Sequence, residues 1–460
     1  MKKIFFAHNT CLNSSYDFNV LKAGILQSGH EIVSSPEEAD EIVYSGCSVR
    51  SIWVDDAVNQ INEAAKRSPE AKLRVTGCLA NTSANTVINK STTENLSIES
   101  MPDILKQFTD IEFSSVDRSY TQNSKIEFES DSSEGLENLR RRVGKDKAEI
   151  VAELQEIDRR YGTKLEHRYR KMTKGFVFYD EIEPSEMITV TRSCPYKCAF
   201  CNIPQGRGKF ESTPIDSVVE KVKFAVQEGK YHIVLIGDEI GNYYDFETKT
   251  NFSDMVEAVL EIHKDLKLSI RYIEPKPFLK FYDKLLKWSC EGKIQLLYIS
   301  IQSGSQRILK MMNRGYNLTR LCRALNELRD ASGVLFYGNW LLGFPSETDR
   351  DFDETVAIVK ELNFHINVVI PFSARENTPA FEMQEQIDDK VIDQRVSYLT
   401  EVVSDMKASR IEQELSFLDT QTKKSILSKI KHAESLQYAD DQKKSEPDRN
   451  NSLSIKIKQL

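Results

Sequence analysis

Between Met187 and about Ala374 a strand-like apolar run followed by a helical stretch recurs six times. The runs are EMITVTRSC, YHIVLIGD, LSIRYIE, IQLLYISIQS, VLFYGNWLLGFP and INVVIPFSA, separated by amphipathic segments such as SVVEKVKFAVQEG and FDETVAIVKELN. Six such units over about two hundred residues predict a full or partial (β/α) barrel, with active-site groups on the loops that follow the strands. A shorter alternation occupies the first eighty residues: KKIFFA, DFNVLKAGILQSG, HEIVS, EIVYSG, IWVDDAVNQINEAAKRS and KLRVTG. It predicts a flavodoxin-like parallel sheet with crossover helices. The fold class expected is therefore α/β, an N-terminal parallel-sheet domain followed by a (β/α)6 partial barrel.

The two blocks are separated by chain of different character. From Asn81 to about Ser133 the composition turns to Ser, Thr, Asn and acidic residues, with MPDILKQF and DIEFSSVD read as a helix and edge strand still belonging to the first domain. Next comes a charged helical segment, residues 134–174, carrying the clusters RRR and RYRK. It reads either as a solvated helical hairpin or as a substrate-docking element. The expected domains are 1–118, a linker with the helical insertion over 119–184, the barrel over 185–385, and a helical extension with a hydrophilic tail over 386–460. At 460 residues, 40% hydrophobic and 29% charged, the chain can fill more than one core. No run approaches the roughly 20 apolar residues of a membrane span, and MKKIFFAHNT turns polar too soon for a signal peptide, so a cytoplasmic location is expected. A net charge of −8 argues against a broad polyanion-binding surface but not against a local basic patch.

Eight cysteines are far too few for a disulfide scaffold, so their spacing carries the information. Cys11, Cys47 and Cys78 each fall at or just beyond the end of an N-terminal strand. In flavodoxin-like order the first, third and fourth strands are neighbours, so three strand-end thiols can face one small site. Cys194, Cys198 and Cys201 form a C-x₃-C-x₂-C pattern directly after the first barrel strand. Three thiolates from one loop suit three corners of a cubane iron–sulfur cluster. Structural zinc would need a fourth ligand, and no Cys or His follows at the spacing of a knuckle. Cys290 and Cys322 lie in helical stretches and read as small buried hydrophobes.

The triplet, with Phe200 before its last cysteine and the βα succession behind it, resembles the radical S-adenosylmethionine superfamily. The resemblance implies that the open iron chelates S-adenosylmethionine and that reduction releases a 5′-deoxyadenosyl radical; the cofactor carries that chemistry and the protein positions it. It implies cofactor contacts from Phe200, from Gly237, Asp238 and Glu239 after the second barrel strand, from Gln302, Ser303 and Ser305 after the fourth, and from Gly343 after the fifth. Several stretches together resemble the methylthiotransferases within that superfamily: TCLNSSYD with Cys11 and Asp17, SGCSVRS with Cys47, Val49 and Arg50, TGCLAN with Gly77, Cys78 and Ala80, and MNRGY with Met312, Arg314 and Tyr316. GRGKFESTP, GFPSET and FSARENTPA add to the match. This implies a second [4Fe-4S] cluster on Cys11, Cys47 and Cys78 that carries the sulfur, and a transferase that uses two [4Fe-4S] clusters and S-adenosyl-L-methionine. Arg207, Arg314 and Tyr316 are candidate substrate contacts, with surface ion pairing the other account of either arginine.

The family's RNA-binding β-barrel, TRAM, is not visible after Ser416, which favours a peptide or protein substrate over tRNA, since phosphate neutralisation supplies most nucleic-acid affinity. MNRGY instead resembles the branch that modifies threonylcarbamoyladenosine in tRNA. The expected function is methylthiolation of a peptide or protein residue. A tRNA adenosine is the first alternative, with RYRK and the tail binding phosphates. A non-catalytic iron–sulfur or RNA-binding protein is the second. An electron donor such as flavodoxin or ferredoxin is the expected partner, and no membrane.

Overall fold

A computed structural model describes residues 1–48, 50–113, 116, 145–174 and 185–443. Val49, the RRR cluster and the hydrophilic tail fall outside the described residues.

Five parallel strands, β1 (Lys3–His8), β2 (Glu31–Val33), β3 (Glu41–Ser45), β4 (Lys72–Thr76) and β5 (Leu96–Ile98), form the first sheet in the order β2-β1-β3-β4-β5. Phe5, Ile42, Leu73 and Val75 face the helix α2 (Ser51–Arg67), whose Val54, Ala57, Val58, Ile61 and Ala64 recur at helical spacing and are buried. On the other face Ile4, Phe6 and Val43 pack against Phe18, Leu21 and Ile25 of α1 (Leu12–Gln27). Of the expected edge strand DIEFSSVD, Ser114, Ser115 and Asp117 lie outside the described residues. Leu96–Ile98, inside the polar stretch and ahead of the Met101–Lys106 helix, supplies the edge strand β5, its three residues registering against Leu73, Arg74 and Val75.

The second sheet has six parallel strands in simple chain order: β6 (Ser185–Thr189), β7 (His232–Ile236), β8 (Lys267–Ile273), β9 (Ile294–Gln302), β10 (Leu335–Leu342) and β11 (Ile366–Pro371). Each is hydrogen-bonded only to its sequence neighbours, the arrangement of a partial barrel. Its outward residues and the surrounding helices share one large apolar core that includes Trp340, Phe252, Phe278 and Phe336.

The charged insertion is not a solvated hairpin. Its helices α3 (Lys145–Tyr161) and α4 (Leu165–Lys174) pack against the C-terminal helices α5 (Asp389–Glu414) and α6 (Thr420–Lys443). Ala148, Val151, Leu154, Leu165 and Tyr169 meet Ala408, Ile411, Ile426 and Ile430 in a separate core. The sequence hides this because each helix is charged overall, and only the i, i+3, i+4 stripes of the four together enclose an apolar volume. RYRK is correspondingly engaged: Tyr169 is fully buried, Arg168 pairs with Glu414 and Arg170 with Glu166. Cys322 is buried as expected, but Cys290 is exposed at the end of the Tyr282–Cys290 helix.

Candidate functional site

The first cysteine set follows from sheet order. β1, β3 and β4 are adjacent and in register, and Cys11, Cys47 and Cys78 come two or three residues after their last residues. The three thiols therefore share one edge of the sheet. Asn9 fixes the middle one: its Oδ1 accepts the Cys47 N–H at 2.9 Å, and its Nδ2 donates to Asp56 and to the Trp53 carbonyl. Gly77 makes room for the third. Its φ is +80°, and a Cβ there would lie 2.7 Å from Ser45 Oγ, so only glycine turns the chain from β4 into Cys78. Burial pushes the Cys78 thiol up to about 12, with Cys11 and Cys47 adding to the rise and Arg207 opposing it.

The second set lies on the loop after β6. Ser193, at φ +67°, donates its N–H to Asp238 at 2.8 Å and its hydroxyl to the Gly208 carbonyl at 2.6 Å, turning the chain into Cys194. The Ala199 N–H bonds to Met312 O, and Arg314 reaches Cys198 Sγ at 3.4 Å, so MNRGY is the backing of this loop. Burial raises the Cys194 and Cys201 thiols, Cys201 to about 12, and their neighbouring thiols add to it.

Within the two sets, burial and the neighbouring thiols oppose ionisation of Cys78, Cys194 and Cys201, while Cys11 is exposed; thiols so held are donors that a soft cation relieves. Among the described residues no three His, Cys, Asp or Glu side chains converge as ligands of a single ion. Three thiols on each loop or sheet edge match the three thiolates of a cubane that keeps one iron open, whereas a structural zinc site takes four protein ligands.

The two sets meet across the domain interface. Arg207, in the Ile203–Arg207 helix just after the triplet, is 5% exposed and lies 3.2 Å from Asp17 of α1 and against Asp238 after β7. It also donates to Ser14 Oγ at 2.9 Å. Burial alone would lower its pKa; Asp238 and Asp17 more than reverse that, so it is a fixed cation. Asn13 donates to Asp238 at 3.0 Å, and Asn81 to the Gly206 carbonyl at 2.8 Å. At Gly206 a Cβ would sit 3.2 Å from Cys78 Sγ, so the absence of a side chain sets how closely the barrel approaches the first set.

The other expected contacts divide. Gln302 has φ +79° at the end of β9, and Gly343, φ +82°, follows β10, where a Cβ would fall 2.4 Å from Ile392 Cγ1 of α5. Glu239 is buried and accepts from the N–H groups of Gly241, Asn242 and Glu274; burial raises it to about 7. A Cβ on Gly237 would fall 2.1 Å from Thr191 Oγ1, so this glycine serves the packing of β7 on the chain after β6. Ser303 and Ser305 do not offer their hydroxyls to a ribose or carboxylate as expected. Both are fully buried; Ser303 faces Thr355, and Ser305 donates to Asp351 at 2.6 Å. The Asp238 carboxylate is likewise taken by Arg207, Ser193 and Asn13. Arg314 and Tyr316 are interior groups, not surface ones: Arg314 lies 3.4 Å from Glu274, and the Tyr316 hydroxyl bonds to the Ile301 carbonyl at 2.5 Å. Phe200 packs on the edge of the barrel core. Asn9 and Tyr196, whose hydroxyl accepts from Asn242 at 2.9 Å, carry no sequence signal of their own and emerge only from these contacts, whereas Asn13 lies in the TCLNSSYD stretch.

Residues 188–359 match the model of the Radical SAM superfamily, and residues 3–98 match Uncharacterized protein family UPF0004. The chain is 24% identical over 425 residues to a tRNA-2-methylthio-N(6)-dimethylallyladenosine synthase of a Sulfurovum species, covering 89% of this chain and 87% of that protein. It is 26% identical over 407 residues to the enzyme of that name from Clostridium tetani, covering 86% and 79%. A third, from Fusobacterium nucleatum, is 31% identical over 219 residues, about half of either chain. Among solved structures, a cobalamin-dependent S-adenosylmethionine radical enzyme, OxsB, superposes with a TM-score of 0.52 at 10% identity, covering 97% of this chain and 72% of that one. That likeness is one of fold: a parallel α/β domain followed by a partial barrel.

Proposed function

We propose that this chain, which belongs to the radical S-adenosylmethionine methylthiotransferases, acts on an adenosine of tRNA. It is a transferase that uses [4Fe-4S] clusters and S-adenosylmethionine. The peptide or protein substrate expected from the missing TRAM signature has no support among its relatives: those matched over most of their length carry the name of a tRNA adenosine methylthiotransferase. That shared name, over 86–89% of this chain, is the observation that carries the tRNA reading.

Cys194, Cys198 and Cys201 would hold the cluster that binds S-adenosylmethionine, and Cys11, Cys47 and Cys78 would hold the second. When bound, the first supplies a radical that opens a C–H bond and the second supplies the sulfur. The chain's own residues then have three tasks. Arg207, Asp17 and Asp238 tie the two domains together and so fix one cysteine set relative to the other. Arg314 donates to Cys198 and keeps a positive charge beside the first set. Tyr316, buried with its hydroxyl on the Ile301 carbonyl, and the buried Arg314 beside Cys198 keep bulk water from the back of the first set.

The test is anaerobic reaction of the reconstituted protein with S-adenosylmethionine, reductant and either tRNA carrying N(6)-dimethylallyladenosine or a peptide library. A methylthio mass gain on the tRNA nucleoside is expected. Labelling of peptides with tRNA untouched would overturn the substrate.

A further inference from the structure

Arg207 does more than join the two domains. Its guanidinium is wrapped by the first turns of α1: the Asn13 carbonyl accepts from Nη2 at 3.4 Å, Ser14 Oγ accepts from Nη1 at 2.9 Å, and the Asp17 carboxylate lies 3.2 Å from Nη2. Asp238 holds it from its own domain. Ser14 is 3% exposed, and besides Arg207 its hydroxyl has one hydrogen-bonding neighbour among the described residues, Cys78 Sγ at 3.8 Å. The same thiol is approached by Gly206 of the barrel, where a Cβ would stand 3.2 Å from Sγ. Arg207 Nη1, Ser14 Oγ and Cys78 Sγ are thus successive contacts that lead from the barrel to a thiol of the N-terminal set.

The direction of the hydroxyl proton follows from what its two partners can do. A serine hydroxyl has one proton and two lone pairs, and a guanidinium only donates, so the contact with Arg207 uses a lone pair of Oγ and leaves the proton for the other partner. A thiolate bound to iron carries no proton and only accepts. The Ser14 hydroxyl therefore donates to Cys78 when the set holds a cluster, and the charge behind it strengthens the O–H dipole. The barrel set has the same device without an intermediary: Arg314 Nη1 lies 3.4 Å from Cys198 Sγ. Each set then has one thiol that faces a donor backed by a buried arginine.

We propose that Ser14 is a positioning residue for the N-terminal cluster: its hydroxyl, aimed by Arg207 of the barrel, donates to the Cys78 thiolate and raises that cluster's affinity for an electron. The inference rests on the two-cluster reading above. A donor to a cluster thiolate offsets the extra negative charge of the reduced state, which is why hydrogen bonds to the sulfurs help to set the potential. Because the arginine belongs to the other domain, the N-terminal cluster has its full electron affinity only while the two domains are docked.

The experiment uses the full chain with clusters reconstituted, as wild type, Ser14→Ala and Ser14→Thr, with Cys47→Ala as the reference that lacks the N-terminal cluster. Iron analysis comes first, and a redox titration read by electron paramagnetic resonance then gives the potential of each cluster. Ser14→Ala should keep about eight irons and lower the equilibrium constant for reducing the N-terminal cluster about three- to tenfold, with the barrel cluster unmoved. Ser14→Thr, which keeps the hydroxyl, should stay with wild type. In deuterium oxide the reduced N-terminal cluster of wild type should show a coupling to an exchangeable deuteron that Ser14→Ala loses. Unchanged potential and coupling in Ser14→Ala would overturn the assignment, and so would an equal shift of both clusters, the mark of a general loosening of the interface. If Ser14→Ala holds less iron, the wild-type coupling and the Ser14→Thr potential decide, and absence of the first or a shift in the second overturns it. Wild type that binds only about four irons would overturn the second cluster itself.

Discussion

The Arg207 guanidinium, on the barrel side, lies 3.2 Å from the Asp17 carboxylate of the N-terminal domain, with both groups largely withdrawn from solvent. A bidentate-capable cation between Asp17 and Asp238 is the main polar link across the interface that brings the cysteine sets together. Removing it leaves the buried Asp238 carboxylate without its cation, while Asp17 keeps Arg192 at 3.0 Å. Arg207→Ala should cost about 3–5 kcal/mol of stability, the range for breaking a buried ionic pair, and Arg207→Lys an intermediate amount. Denaturant unfolding checks this; a loss below about 1 kcal/mol for Arg207→Ala would show that the domains are held by other contacts.

Gly206 gives a sharper local test. A Cβ there would stand 3.1 Å from Cys78 Cβ and 3.2 Å from its Sγ, and a thiolate fixed to iron cannot move aside as a free one can. Gly206→Val should lower the iron bound at the N-terminal site while leaving the barrel site filled, and Gly206→Ala should do so to a smaller degree. Iron and sulfide analysis with electron paramagnetic resonance separates the two sites.

Stability should fall on mild acidification because of His365. Burial first, then Arg410 and Arg329, bring its pKa down to about 3, and its Nδ1 accepts the Phe336 N–H at 3.1 Å, which only the neutral ring can do. Below about pH 6.5 the unfolded chain takes up a proton that the folded chain refuses. This contribution is therefore complete above about pH 6.5 and is lost progressively from there toward pH 3, about 2 kcal/mol of it by pH 5. His365→Asn, which keeps an acceptor, should flatten that part of the stability–pH curve; an unchanged curve would remove His365 as its cause.

In the four-helix unit Glu434 lies between Lys407, at 2.7 Å, and Lys147, at 3.5 Å, all three buried. Burial alone would raise the glutamate's pKa, and the two lysines reverse that and hold it low. Glu434→Gln takes from the buried Lys407 its carboxylate partner and should destabilise the protein by about 3–5 kcal/mol. Thermal unfolding should show it; a drop no larger than that of an exposed pair such as Lys431–Asp405 would mean that the helices open easily to water.

The βα rhythm and the strand-end cysteines were legible in the sequence because both depend on local period and on the rule that sites gather at strand ends. Sheet order then placed Cys11, Cys47 and Cys78 together. The helical core was not legible: its four helices are drawn from both sides of the barrel in the chain, and none carries a broad apolar face alone. Nor were the fates of Ser303 and Ser305, since a hydroxyl after a strand looks the same whether it turns to the barrel mouth or to Asp351.

The most direct test of two cluster sites sharing one gap is iron quantification on wild type and Cys47→Ala, paired with reductant-dependent cleavage of S-adenosylmethionine. Wild type should bind about eight irons per chain and Cys47→Ala about four, with cleavage retained and methylthio transfer abolished. Two complete clusters in Cys47→Ala would contradict the assignment of Cys11, Cys47 and Cys78 as a cluster site.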